Sequence, residues 1–282
     1  MSPLRMTGRR WTILLLIAPW VALAEADDKI QVQPRIFSVY HSNFLQATDG
    51  APKEKVWANV FEVRVIRKLD ELREGLGAYG VVAQTSYNAF DASRSIGAGL
   101  RLHDRPHSVS LVMRGYFNRP AFFIRNELDT SNIFRLQGEY SYRFTPEIEL
   151  KGLLDYYRQT YDMTKGLDNH TRFLGAAVRY RGFGYGFSPE LGIRRGRQDT
   201  VADDNDYSQT ELLVKVRSVA SRTVYLSFRY RYRLRRYDTT LPGSRNFDRK
   251  DNRHAFRALA TIRSGEHLLW EIYFARENAD SL

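Results

Sequence analysis

Polar and apolar residues alternate one for one along most of this chain. In Val224–Arg235 the even positions are Val224, Leu226, Phe228, Tyr230, Tyr232 and Leu234; the odd ones are Tyr225, Ser227, Arg229, Arg231, Arg233 and Arg235. Successive side chains of a strand point to opposite faces, so one face is apolar or aromatic and the other carries four arginines in a row. On a helix the same residues would put charge on every face. The pattern returns in Ser95–Leu102, Phe134–Phe144, Ile148–Tyr157, Glu211–Arg217, Phe256–Arg263 and Leu268–Ala275.

These segments predict strands of about 10 to 16 residues, whereas strands of soluble domains centre near five or six. Tight connections fall near Asp70–Glu74, His103–His107, Thr145-Pro146, Gly182–Gly186, Ala220–Arg222 and Ser264–Glu266. Longer polar ones fall near Ala47–Lys55, Asn118–Thr130, Asp162–Asp168, Asp199–Asp206 and Asp238–Asp251, and only the link near Phe90 breaks this rhythm. Short turns on one side and long loops on the other are expected of a barrel that crosses a membrane. A soluble β-sandwich also alternates, but it buries its apolar faces in one shared core and does not need such long strands.

Composition agrees with two faces of different solvents. The 282 residues include 17 Tyr, 16 Phe and 4 Trp, against 9 Pro and no Cys. Mean hydropathy is −0.47. Without cysteine, a disulfide-stapled secreted module is excluded. The amino terminus sets the compartment. Arg5, Arg9 and Arg10 precede the apolar run Trp11–Leu23, and Ala24-Glu25-Ala26 follows in the small-x-small order of a cleavage site. That is a secretory signal, too short to cross roughly 30 Å of hydrocarbon as a helix. Residues 1–26 are therefore read as a signal peptide and 27–282 as one barrel.

From residue 27 onward the chain resembles the bacterial outer-membrane β-barrel class, porin-like in its period-two segments and alternating loop lengths. The resemblance is one of pattern and carries over no functional residue. It implies an all-β fold, an antiparallel up-and-down transmembrane barrel of about 12–14 strands in the outer membrane of a Gram-negative cell. It also implies contact with outer-membrane lipid and lipopolysaccharide, and insertion by the barrel-assembly machinery. Such barrels usually end in a strand with an aromatic last residue; this chain ends Ala275-Arg-Glu-Asn-Ala-Asp-Ser-Leu282. The count gives about thirteen strands, the last from His267 to roughly Arg276 and running outward, where an even number is usual. Either the count is off by one or a closing strand follows beyond Leu282; the second is the leading expectation, with the polar Glu277–Leu282 stretch opening an outer loop.

The formal charge is +11; removal of residues 1–26 takes three arginines and one glutamate and leaves +9. Because the apolar face must meet lipid, the cations opposite it belong in the lumen. Arg229, Arg231, Arg233 and Arg235, joined by Lys215, Arg217, Arg257 and Arg263, are the candidate lumen-lining, anion-contacting residues. Rings of arginine favour anionic solutes, and planar guanidinium forks match carboxylate, sulfate and phosphate. Tyr157, Tyr225 and Tyr273 could stack on sugar rings, so acidic oligosaccharide or polysaccharide suits the pattern. An exported barrel offers no encounter with nucleic acid, and no nucleic-acid partner is expected.

No catalytic residue, cofactor or metal site is expected. His41-Ser42-Asn43 places three reactive types together, but strand neighbours point to opposite faces and cannot form a Ser–His couple. His103 and His107 flank a turn; His170, His254 and His267 lie near strand ends. No H-E-x-x-H, G-x-S-x-G or Gly-rich phosphate loop occurs. Asp203-Asp204-Asn205-Asp206 lacks the order and glycine of a calcium loop. The leading expectation is a channel or export conduit for anionic solutes. The alternative is a structural or assembly barrel with a closed, salt-bridged lumen, and an outer-membrane hydrolase is the third.

Overall fold

The computed structural model describes residues 10–14, 30–41, 56–69, 73–88, 90–124, 127–183, 186–239, 242–244, 246–264 and 268–281. Its strands are β1 (Arg10–Leu14), β2 (Ile30–His41), β3 (Val56–Lys68), β4 (Leu76–Tyr87) and β5 (Ser93–Asp104). They continue as β6 (His107–Ile124), β7 (Glu127–Arg143), β8 (Ile148–Tyr161), β9 (Asn169–Tyr180) and β10 (Ser188–Thr200). The last four are β11 (Tyr207–Val219), β12 (Val224–Tyr237), β13 (Lys250–Ser264) and β14 (Leu268–Ser281).

Each strand from β2 to β14 pairs antiparallel with the next, and β1 pairs antiparallel with β14, in one 14-stranded sheet. β1 lies beside β2, so the order runs round to its start; no hydrogen-bonded register joins those two among the described residues. Thirteen strands follow residue 26, the number expected from the pattern. Because that number is odd, β2 and β14 point the same way, and β1 runs between them in the opposite sense. β1 falls inside the segment read as the export signal.

The sheet is inside out relative to a soluble core. Seven hydrophobic residues are buried among the described ones, against eighteen polar or charged residues that include Glu62, Lys151, Asp155, Arg179, Glu190 and Glu211. Large apolar side chains instead cover the exterior: Phe61, Val82, Ile96, Leu174, Leu191 and Ile193 are each 50% exposed or more. An apolar exterior of this extent on strands of 12 to 18 residues is stable only against hydrocarbon, and the fold is a transmembrane β-barrel. Alternation within each strand produces it: in β9, Thr171, Phe173, Ala177 and Arg179 are buried while His170, Arg172, Leu174, Ala176 and Val178 are exposed.

The tight turns are closed by local hydroxyls. Thr145 Oγ1 accepts the Ile148 N–H at 3.0 Å, and Ser221 Oγ accepts the Val224 N–H at 3.1 Å, each satisfying a donor that the ladder leaves over. Two expectations need correction. Asn118–Thr130 is not a loop: β6 and β7 continue pairing out to Ile124 and Glu127, past register shifts at Tyr116/Arg119 and Pro120/Phe122. Asn118 takes a φ of 52°, which asparagine tolerates, and its N–H donates to Asn132 Oδ1, so polar composition here marks a bulged hairpin. Glu277–Ser281 is likewise strand, because β13 extends back to Asp251 and offers it a full ladder.

The row Val178, Leu191 and Val214 faces outward across β9, β10 and β11, well inside the apolar belt. Leu191→Arg should cost about 2–4 kcal/mol of folding into lipid, the penalty for a cation near the bilayer midplane. Urea-titrated folding into phospholipid vesicles, followed by tryptophan fluorescence, measures it. A cost under about 0.5 kcal/mol would mean that this face does not meet hydrocarbon.

Candidate functional site

The ladder of β12 points into the barrel. Arg235 lies with its Cζ 3.8 Å over the ring of Tyr207 and donates to Gln209 Oε1 at 3.2 Å, and both partners are 4% exposed. Period two then carries Arg229, Arg231 and Arg233 inward with it, while Phe228 stands 40% exposed on the other side. Register aligns the rest. Lys215, Arg229 and Arg257 are successive partners across β11, β12 and β13; Arg217 stands opposite Ser227, and Arg263 continues the inward face of β13. All eight residues expected in the lumen share one face of three adjacent strands.

Neutralisation of these charges changes from one wall to the next. Reading one cross-strand row from β7 to β13 gives Arg143, Glu149, Arg179, Glu190, Lys215, Arg229 and Arg257. Signs alternate as far as Lys215, which begins a run of three cations with Arg229 and Arg257. The alternating part is bonded. Arg179 Nε donates to Glu190 Oε2 at 2.8 Å and its Nη1 to Glu149 at 3.4 Å; Arg181 also bonds Glu149. Lys151 holds Glu139 at 2.9 Å and Glu190 at 3.1 Å. Arg135 grips Asp155 with two bonds of 2.9 and 2.6 Å, and Arg194 spans Asp155 and Glu211. Across the lumen Arg114 holds Glu62 at 3.0 Å.

The ladder has closer acids than the sequence suggested. Glu211 stands opposite Arg233 and Asp251 opposite Arg235, so the two rungs nearest the long loops face carboxylates. Lys215, Arg217, Arg231 and Arg257 differ: among the described residues none has a carboxylate within 4 Å. Arg231 stands between Leu213 and Ala255, and the row continues through Gly192 and Ala177, which gives it room rather than a partner.

A cavity of about 590 Å³ opens at the tight-turn end. Lys215 and Arg217 line it together with Arg101 of β5, Arg105, Arg143 at the end of β7 and Arg181 just past β9. Arg105 sits in a turn and was not expected at the lumen. Arg179 and Arg181 were also missed, although the alternation of β9 marks Arg179 as inward. The far wall is small and hydroxylated: Ser93 and Ser95 on β5 are buried, Ser108 and Ser110 on β6 border the space, and Gly99 lets the Tyr79 ring lie flat on the wall. Of the aromatics expected to stack on solutes, Tyr157 faces Arg135 across β7 and β8, Tyr225 lines a smaller recess with Arg217 and Thr261, and Tyr273 stands opposite Leu259.

The chain's other candidates do not assemble. His41 ends β2, and Ser42 and Asn43 lie outside the described residues, as does His267. His103 and His107 flank the turn between β5 and β6, and His254 tilts against Tyr230 and Tyr232 on the outer face. Asp203–Asn205 forms a single 3-10 turn in which Asp204 accepts from Thr239 at 2.8 Å, and just past it Asp206 accepts the Thr200 N–H at 2.6 Å. No cluster of metal-ligating side chains occurs among the described residues.

No protein-family model matches this chain, and no curated protein matches it by sequence. Among solved structures the NanC porin in its rhombohedral crystal form is similar at 10% identity, with a TM-score of 0.42 over 88% of this chain and 98% of that one.

The two walls should respond oppositely to mutation. Glu190→Gln leaves Arg179 with Glu149 alone and Lys151 with Glu139 alone, both side chains being 9% exposed or less, and should destabilise the barrel by about 1.5–3 kcal/mol, the worth of hydrogen bonds to a charged group. Lys215→Gln relieves repulsion from Arg229 and should cost under about 0.5 kcal/mol or stabilise. Urea unfolding in detergent micelles reads both; equal losses would contradict the division of the lumen.

Proposed function

We propose that the chain is an outer-membrane channel of a Gram-negative bacterium, exported by its first 26 residues, through which anionic solutes pass. Acidic oligosaccharide or polysaccharide is the solute class that fits best. The observation that carries this reading is the inward cationic face of β11–β13, where Lys215, Arg217, Arg231 and Arg257 lack carboxylates within 4 Å among the described residues. Stability alone does not favour such a face, because neighbouring like charges repel unless a guest compensates them. A mobile anion supplies that compensation, and several weak sites in series let it leave again. The hydroxyls and Tyr79 opposite the cations suit a polyhydroxylated anion better than a bare ion. The reading involves no catalytic step and no cofactor.

One observation favours a second reading. The bonded network of Arg135, Lys151, Arg179 and Arg194 with five carboxylates ties β7 through β11 together, as a structural barrel with a sealed lumen would require. Conductance separates the two. Purified protein in planar bilayers should be anion-selective, and Arg231→Glu with Arg233→Glu should shift the reversal potential toward cations while the barrel still assembles. Absence of conductance, or unchanged selectivity in the double variant, would replace the channel with the structural reading.

A further inference from the structure

Not all of the arginines face inward. On β8, β9, β10 and β12 the outward positions toward the long loops include Arg158, His170, Arg172, Arg195, Arg197 and Arg236, and all six are exposed. Register gathers them. Tyr156, Arg172, Arg197, Ser208 and Arg236 form one cross-strand row, with Arg158, His170 and Asp199 in the row above. The row below is Leu154, Leu174, Arg195, Thr210 and Leu234, where the apolar belt begins. Strands stand about 4.8 Å apart, so the patch spans roughly 20 Å across five strands.

Its charges are poorly matched from within. Asp199 serves three side chains, Arg197 at 2.6 Å, His170 at 3.1 Å and Arg172 at 3.6 Å. Asp206 and Asp238 act on Arg197 from the loop ends. Among the described residues no carboxylate lies within 4 Å of Arg158, Arg195 or Arg236. Arg172 and Arg197 are direct cross-strand partners with side chains 65% and 54% exposed, an opposition of like charges that the fold does not need. These cations stand just beyond the apolar belt, at the level of headgroups. Long loops face outward in barrels of this class, which places the patch at the outer leaflet.

We propose that this patch is a binding site for the phosphate groups of the outer-leaflet glycolipid. Guanidinium forks bind phosphate oxygens in pairs, and the belt immediately below receives the acyl chains of the same molecule. Leu154, Leu174 and Leu234 supply that apolar floor, and Tyr156, level with Arg172, supplies an interfacial ring. The lumen takes no part, so the site stands whether or not the barrel conducts.

The test uses the full chain in detergent, with hexa-acyl lipid A carrying two phosphates and its dephosphorylated counterpart as probes, read by native mass spectrometry. The phosphorylated lipid should be retained at least about tenfold better, the equivalent of roughly 1.4 kcal/mol. Arg172→Ser with Arg197→Ser should abolish that preference, whereas Arg94→Ser, an outward arginine on β5, should leave it intact. Equal retention of the two lipids by the wild type overturns the proposal, as does a double variant that keeps the preference or an Arg94→Ser loss of the same size. Should the double variant fail to assemble, the two lipids compared on the wild type still decide.

Discussion

Hydrocarbon offers no hydrogen bond to a peptide group, and each backbone N–H or C=O left unpaired there costs several kcal/mol. A strand in that solvent must therefore be paired on both sides. Here every strand from β3 to β13 has its two sequence neighbours as partners, and β14 pairs along its length with β13. The outward position must then be apolar at belt height and the inward one is released to be polar. Every other feature of the molecule is a consequence of that division, including a buried set in which Glu190, Arg179 and Lys151 take the places a soluble protein gives to leucine.

Once inside, an arginine's role is decided by its register neighbours rather than by its own strand. Arg179 and Arg229 belong to the same cross-strand row, yet Arg179 stands between Glu149 and Glu190 while Arg229 stands between Lys215 and Arg257. The first arrangement holds strands together. The second stores repulsion on one wall, and that wall shares the cavity at the tight-turn end with Arg101, Arg143 and Arg181. A lumen with one side bonded throughout and the other keeping Lys215, Arg217, Arg231 and Arg257 without a carboxylate within 4 Å among the described residues has a lateral field as well as an axial one, and the small-residue surface of β5 and β6 leaves the space in which that field acts.

This explains which parts were legible beforehand. Alternation is a property of a single strand, so the inward direction of Arg229, Arg231, Arg233 and Arg235 could be read from Val224–Arg235 alone, as could the thirteen strands after residue 26. Cross-strand pairing is a property of two segments far apart in sequence. Nothing local marks Glu211 as the partner of Arg233 or Asp251 as the partner of Arg235, and the ladder therefore looked barer than it is. Composition misled at Asn118–Thr130 and Glu277–Ser281 for a related reason. Strands that extend past the belt no longer need an apolar face, so their polarity resembles that of a loop although their ladders continue.

Height along the strand is the second coordinate that pattern alone does not supply. β10 carries Arg194, Arg195 and Arg197 within four residues. Arg194 faces the lumen, bridges Asp155 and Glu211 and covers the Phe173 ring at 4.8 Å. Arg195 and Arg197 face outward, one at the rim of the belt and one a step above it beside Arg172. Two residues lower, the same outward face holds Ile193, where a cation would be expelled. The outward arginines are thus tolerated only because they sit where hydrocarbon gives way to headgroups, and there their unmatched charge meets the one layer of the membrane that is rich in anions. The same side chain acts as a strut inside the barrel and as a surface contact outside it, and the single step from Arg194 to Arg195 along β10 separates the roles.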